Sequence, residues 1–238
     1  MRPIGFSTGA LACGDIQLAL EMIDRHEIKV VEFSALRESE FEPLLIALGQ
    51  IDLTSYTYVS FHAPSRYERA NEKRLIQRLA EHLPKRLGVI LHPDAAKDLE
   101  AWRDLGSRLL VENMDKRKIT GRFVSELRAV FEKLPEARFC FDLGHARQVD
   151  PTFIEAGRLL EEFASRLAQV HISEVNTASR HERISLAAAK SYQQAADMIP
   201  EWVPVIIEAP VKESEIADEI LRCREALNLS APAYAATA

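Results

Sequence analysis

Cysteine is scarce in this chain: three occur in 238 residues, at positions 13, 140 and 223. An odd number so widely spaced makes neither a disulfide framework nor a zinc knuckle. Cys140 alternates with phenylalanines and reads as a packing residue; Cys13 is an unassigned thiol near a loop. Long apolar runs are missing too, so nothing approaches the roughly 20 residues of a membrane-spanning helix. The opening Met1-Arg-Pro-Ile-Gly-Phe6 lacks the basic region and apolar stretch of a secretory signal, which makes the cytoplasm the expected compartment and excludes a membrane as the expected partner. Basic residues are outnumbered, 30 against 36 acidic, giving a net charge of −6 and a pI near 5.7. No whole-molecule field therefore draws the chain to nucleic acid or an anionic bilayer, although a local basic rim stays open. A glycine-rich phosphate loop is also absent, since Ser7-Thr-Gly-Ala-Leu-Ala-Cys-Gly14 matches the dinucleotide fingerprint poorly. That counts against an open doubly wound sheet.

What is present is an alternation of strands and helices. Apolar runs at Pro3–Ser7, Ile28–Glu32, Tyr56–His62, Gly88–His92, Arg108–Glu112, Arg138–Leu143, Leu167–His171 and Val203–Glu208 read as eight strands. Helical spacing follows each of them. Ile16, Ala19, Leu20 and Ile23 follow Asp15 as N-cap; a second helix runs Glu40–Leu48; Leu75, Leu79 and Leu83 follow Asn71 as N-cap. Further helices are expected around Leu99, Trp102 and Leu105, over Phe123–Phe131, behind Asp150 with Pro151 in the first helical position, over Leu186–Met198 and over Ser214–Leu227. Eight strand-helix units without a composition break predict a single-domain α/β (β/α)8 TIM barrel over residues 1–228, with 229–238 as a flexible C-terminal tail.

In such a barrel the reactive face lies where strands end and loops to the helices begin. The last inward residues there read Glu32, His62, His92, Glu112, Asp142, His171 and Glu208. Two positions upstream, on the same face, lie Val30, Ser60, Ile90, Leu110, Cys140, Gln169 and Ile206, most of them suited to a packed interior. Chemistry is thus confined to the mouth. Four carboxylates converging in so small a space repel one another and raise their own pKa values. A divalent cation removes the conflict, and carboxylates mixed with neutral imidazoles suit zinc, manganese or iron(II) better than magnesium. Glu32 is equally readable as a salt-bridge partner, a substrate contact or a ligand. His26 and His82, inside helices, read as ordinary surface histidines.

Phe61-His-Ala-Pro64, Leu91-His-Pro93, Val111-Glu-Asn113, Asp142-Leu-Gly-His145, His171-Ile-Ser-Glu174, Arg180-His181 and the terminal Glu208, in this order and spacing, resemble the xylose isomerase-like barrels, a superfamily that includes AP endonuclease IV and many sugar isomerases and epimerases. The resemblance spans Ile4 to Leu227. From the endonuclease branch it implies that His62, His92 and Glu112 hold one ion, and that Glu112 bridges to a second held with Asp142, His171 and Glu208. His145 and His181 would bind a third together with an aspartate two residues before the second histidine. Here that place is Ser179, a poorer ligand, for which Glu174 or Glu182 could substitute. From the isomerase branch it implies one ion on Glu112, Asp142, His171 and Glu208, with the two glutamates as acid and base.

His62 and His92 tip the expectation toward a multinuclear metallohydrolase with two ions, or three, most naturally Zn or Mn, cleaving a small phosphoester or similar anionic substrate. Glu112, Glu208, His145 and His181 are then the catalytic candidates, and Glu32, Arg180, Arg183 and Lys212 the substrate-binding ones. A sugar or sugar-phosphate isomerase or epimerase is the second expectation. An AP endonuclease acting in DNA repair is a third, disfavoured because the loops are short and Arg66, Arg69, Lys116, Arg117, Arg180, Arg183 and Lys212 make only a modest rim. A non-catalytic, metal-bound barrel that binds a partner is the fourth. The oligomeric state is not readable from the sequence.

Overall fold

In the computed structural model, residues 2–12 and 14–229 are described; Cys13 and most of the expected tail, from 230 onward, lie outside them. In chain order the elements are β1 (Ile4–Ser7), α1 (Thr8–Leu11), α2 (Ile16–Arg25), β2 (Val30–Ser34), α3 (Glu38–Leu48), β3 (Tyr58–His62), α4 (Glu72–His82), β4 (Gly88–Leu91), β5 (Leu109–Glu112), α5 (Val124–Lys133), β6 (Arg138–Asp142), α6 (Leu143–Val149), α7 (Ile154–Glu162), β7 (Leu167–Ile172), β8 (Glu174–Val175), β9 (His181–Glu182), α8 (Leu186–Ala196), β10 (Val205–Ile207) and α9 (Ile216–Ala226). Eight parallel strands close in the order β1-β10-β7-β6-β5-β4-β3-β2, and β8 and β9 form a small antiparallel ribbon beside the mouth. This is the expected (β/α)8 TIM barrel.

Strand alternation sorts the side chains. Phe139 and Phe141 of β6 point outward, and Phe139 packs against Phe131 and Phe163 of the helical layer. Cys140, between them, points inward and joins Ile90, Leu110 and Ala168 in a small apolar plug inside the barrel. The large outer cluster glues helices to strands, and the interior plug floors the site. Among the described residues, no helix is long and apolar enough to cross a membrane.

Local signals hold at several helix starts. The Asp15 carboxylate accepts from the Leu18 N–H at 3.0 Å, and Ser185 Oγ accepts from the Ala188 N–H at 3.1 Å. Asn71 does not cap α4; its amide donates instead to Glu38 at 2.5 Å. The segment around Leu99, Trp102 and Leu105 is a 3-10 stretch over 99–108, broken where Gly106 takes φ 53°.

Two further expectations need correction. Strand β2 starts at Val30 and runs on to Ser34, so Glu32 is not its last inward residue. The register pairs Glu32 with Ser60 and Ser34 with His62, which puts Glu32 one tier below the mouth. Nor do Asp150 and Pro151 open a helix. The chain is already helical from Leu143, Asp150 lies just past the end of α6, and its carboxylate accepts from the Thr152 N–H at 2.9 Å and the Glu155 N–H at 2.9 Å. Those bonds fold a turn through Phe153, at φ 64°, into α7. The aspartate caps, but one turn later than expected.

Glycine matters at one strand contact. A Cβ on Gly5 would sit 1.8 Å from the Val30 carbonyl oxygen, a backbone atom of the neighbouring strand. Gly5→Ala is therefore expected to cost about 3 kcal/mol or more, the upper end of overpacking penalties, because no side chain can swing aside. Urea unfolding of the two proteins measures it as a fall in midpoint at unchanged slope.

Candidate metal centre

The ends of β3, β4, β5, β6, β7 and β10 bring His62, His92, Glu112, Asp142, His171 and Glu208 to one mouth. His92 and Glu208 lie one residue past their strands, and the Glu208 N–H still donates to the Ile172 carbonyl at 3.0 Å. Glu112, Asp142 and His171 are fully buried and His62 nearly so. Two donor clusters result, His62–His92–Glu112 and Glu112–Asp142–His171–Glu208, with Glu112 common to both.

The distances within them fit ligands around a cation. In the first cluster His62 Nε2 and His92 Nε2 are 3.1 Å apart, and they lie 3.4 and 3.1 Å from Glu112 Oε2. Metal–nitrogen bonds of about 2.0–2.1 Å put two ligands of one tetrahedral ion roughly 3.3 Å apart. In the second, His171 Nδ1 lies 3.3 Å from Glu112 Oε1 and 3.5 Å from Glu208 Oε2. Each oxygen of Glu112 therefore faces a different cluster. Both of those oxygens, Asp142 Oδ2 and His171 Nδ1 are buried without a hydrogen-bond partner. Buried polar atoms are seldom left so, and a shared unfilled requirement at one point is what a divalent cation meets.

Backbone contacts fix the ligands. Asp142 caps α6: its Oδ1 accepts from the His145 N–H at 2.6 Å, which leaves Oδ2 for the site. Asn113 locks the neighbouring strand end, donating to the Asp142 carbonyl at 2.9 Å and accepting from the Asp142 N–H at 2.7 Å. Gly144 lets α6 start this close to β7, since a Cβ there would meet the Ser173 carbonyl at 2.7 Å. His62 Nδ1 sits 2.9 Å from the Ala63 carbonyl, so it carries the proton and Nε2 presents its lone pair.

The electrostatics reflect crowding. Burial pushes Glu208 up to about 8, aided by Glu112 and Asp142 and opposed by His171. Burial, with Glu112, also raises Asp142. Burial works against charge on Glu112 as well, but His171, His92 and His145 hold it well below the usual carboxylate range. His145 is pushed up to about 10, burial being outweighed by Asp142 and Glu112. His181 goes the other way, down to about 3, through burial and the nearby His145.

The expected third cluster does not assemble among the described residues. The His145 and His181 rings lie 5.4 Å apart, and the carboxylates that approach them, Glu112 and Asp142 at 3.3 and 3.5 Å from His145 Nδ1 and Glu208 at 3.7 Å from His181 Nδ1, belong to the two clusters already described. Ser179, at φ 52°, has its Oγ 2.8 Å from the Gln148 amide nitrogen. Glu174 is paired with Arg147 at 3.0 Å and Glu182 accepts from Asn176 at 2.6 Å, so neither substitutes. His145 Nδ1 faces the Asn113 carbonyl at 2.9 Å, and His181 Nδ1 faces Ser173 Oγ at 2.7 Å.

A cavity of about 210 Å³ opens above the clusters, lined by His62, His92, Glu112, His145, His181 and Glu208 together with Ser7, Gly9, Ala10, Ser34, Leu36 and Pro210. The substrate-binding expectations meet it poorly. Glu32 lies beneath it, bonded to His171, and Arg183 is folded back onto Glu215 and Glu219 at 2.8 and 2.9 Å. Arg180 and Lys212 are exposed and not among the lining residues. Side chains seek their nearest countercharge, which sequence spacing does not reveal. The residues missed were Ser7 and Ser34; carrying the inward parity of β2 two positions past Glu32 would have found Ser34.

No protein-family model matches the chain, and no curated protein matches it in sequence. Solved structures do. The endonuclease IV of Thermus thermophilus superposes with a TM-score of 0.60 at 17% identity, over 96% of this chain and 99% of that one. The chain shares the (β/α)8 barrel fold of that enzyme. A sugar phosphate isomerase/epimerase candidate from Anabaena variabilis superposes with a TM-score of 0.52 at 14% identity, over 97% and 89% of the two chains. The D-allulose 3-epimerase of a Methylomonas species does so with 0.52 at 13%, over 92% and 90%.

The raised groups make stability depend on pH. The folded, metal-stripped protein holds protons on Glu208 and His145 that the unfolded chain gives up at lower pH, so the stability those protons contribute is lost as pH rises through about 8 and 10. Thermal scans of stripped protein should show the melting temperature falling from pH 6 to pH 9. Added Zn or Mn should raise it in a concentration-dependent way, by the equivalent of about 2.7 kcal/mol at a hundred times Kd. A melting temperature indifferent to the cation would count against a metal site.

Proposed function

We propose that the chain is a divalent-metal-dependent hydrolase with a two-ion centre, acting on a small phosphoester or similar anionic substrate. The observation that carries this reading is Glu112, which offers one oxygen to each donor cluster. His62, His92 and Glu112 would hold one ion, and Glu112, Asp142, His171 and Glu208 the other. A bound pair of Zn or Mn ions supplies Lewis acidity and an ionised water at neutral pH, the chemistry an in-line displacement requires. His145 and His181 line the same cavity and would meet the leaving oxygen, His181 backed by Ser173. Ser7 and Ser34, which line the same cavity, would orient the substrate by hydrogen bonds. A cavity of about 210 Å³ suits a small molecule. The lining contains no lysine or arginine and the chain carries −6, so duplex DNA is the less favoured substrate despite the endonuclease likeness.

One observation favours a second reading. Glu112 and Glu208 lie 3.3 and 3.5 Å from the same His171 Nδ1, so two glutamates flank one candidate ion, Glu208 raised by burial and Glu112 lowered, despite burial, by its imidazoles. That pair suits acid-base work at adjacent carbons of a sugar or sugar phosphate, as an isomerase or epimerase would need.

Metal analysis with a substrate panel separates the two. The hydrolase reading expects two ions per chain, one lost in His92→Ala, one in Asp142→Asn and both in Glu112→Gln. Glu112→Gln should also lower kcat/KM on a responsive phosphoester by about 100- to 1000-fold or more. A single tight ion, together with exchange of a substrate carbon-bound proton into deuterated water, would replace it with the isomerase reading.

A further inference from the structure

Below the mouth lies a polar tier that the two-ion reading leaves without a task. It consists of Glu32, Ser60, Gln169 and Tyr58, inside a barrel whose neighbouring interior residues are Ile90, Leu110, Cys140 and Ala168. Glu32 is fully buried. Its Oε2 accepts from Gln169 Nε2 at 2.6 Å and from Ser60 Oγ at 3.0 Å, and it lies 3.1 Å from His171 Nε2. Tyr58 OH donates to Gln169 Oε1 at 2.7 Å, which turns the amide nitrogen toward Glu32. No arginine or lysine neutralises Glu32 among these contacts.

We propose that Glu32 is the positioning residue of His171: it holds the imidazole in the tautomer and orientation that present Nδ1 to the second metal ion. This rests on the two-ion reading of the site. His171 Nε2 faces both Glu32 Oε2 at 3.1 Å and Gln169 Nε2 at 2.7 Å; with its proton given to the carboxylate, Nδ1 carries the lone pair, and Nδ1 is the atom facing Glu112 and Glu208 with no hydrogen-bond partner. A carboxylate behind a ligating histidine also makes the imidazole a stronger donor. The distribution of bonds separates this role from simple core structure. A network built only for satisfaction would engage both carboxylate oxygens, whereas here the described donors converge on Oε2 and Oε1 has no partner. An aliphatic residue would fill the tier without burying a charge.

The three imidazoles of the two clusters are thereby graded. His171 is backed by a carboxylate, His62 by the Ala63 carbonyl, and His92 Nδ1 has no hydrogen-bond partner. The second ion is held more tightly than the first, and a chelator removes the first ion before it.

The test is competitive zinc titration against a chromophoric chelator, with the visible spectrum of the cobalt-loaded protein as a second readout. Glu32→Gln keeps an acceptor for His171 but removes the charge. The expected result is a 10- to 100-fold weaker second ion with the first unchanged, and altered cobalt bands. In a His92→Ala background the one remaining ion should weaken by the same factor. Tyr58→Phe, milder and away from the ligands, should weaken the second ion in the same direction by less, and it decides the matter if Glu32→Gln does not fold. Parent-like affinity and spectrum at both sites, even with a lowered melting temperature, would overturn the positioning role and leave the two-ion reading standing. A parent chain that binds one ion sinks the two-ion reading alone, the effect of Glu32→Gln on that ion then deciding the positioning role; a parent that binds none sinks both.

Discussion

Everything at the mouth depends on one buried carboxylate serving two masters. Glu112 is fully excluded from water at the end of β5, and its two oxygens face different sets of donors. Burial alone would neutralise such a group, and three imidazoles keep it ionised. The imidazoles around Glu112 also compete for the same space, as the 3.1 Å approach of His62 Nε2 to His92 Nε2 records. Two ring nitrogens at that separation need a proton or a cation between them. Without metal the cluster settles the conflict by protonation; with metal the cation takes the place of the protons.

The barrel makes this arrangement possible by fixing each ligand through its backbone. Asp142 is held as an N-cap, His62 by the Ala63 carbonyl, His171 from below by Glu32, and the ends of β5 and β6 are interlocked through Asn113. None of these anchors uses the atom that faces the cavity. The geometry of the candidate ligands is thus set by folding, and a cation would complete a site that already exists, which is how donors are kept close to bonding geometry despite mutual repulsion.

The barrel and the set of residues at its mouth were legible in the sequence because strand alternation is a strict period of two, and a charged side chain ending an apolar strand stands out against it, whereas their division into two clusters was implied only by the family resemblance. His62, His92, Glu112, Asp142, His171 and Glu208 all fall to that rule. Glu32 escaped it because β2 begins two residues later than its apolar run suggests, a difference that moves the glutamate down a tier. The helix at Leu143 escaped because Asp142 was read as a ligand alone, when one carboxylate does both jobs with separate oxygens. The fate of Arg183 was unreadable for another reason: Glu215 and Glu219 are more than thirty positions away, and only the packing of α9 brings them near.

Ser179 shows how one position can redefine a site without disturbing the fold. Its hydroxyl is engaged by Gln148 and its carbonyl accepts from Arg117 at 3.1 Å, while Arg117 is itself paired with Asp115. The corner around Ser179 is thus stitched together by hydrogen bonds and one ion pair, and the carboxylates near the two rings are those of the two clusters, Glu112 and Asp142 by His145 and Glu208 by His181. His181 at about 3 stays neutral there, and His145 has its Nδ1 committed to a backbone carbonyl. Two histidines without a carboxylate of their own hold a divalent ion weakly. If this corner meets a substrate, it does so with imidazole hydrogen bonds rather than a third cation, so the positive charge available to an anion is concentrated over Glu112. Small substrates that place their charge at that one point would then be favoured over extended polyanions that need cations along a groove.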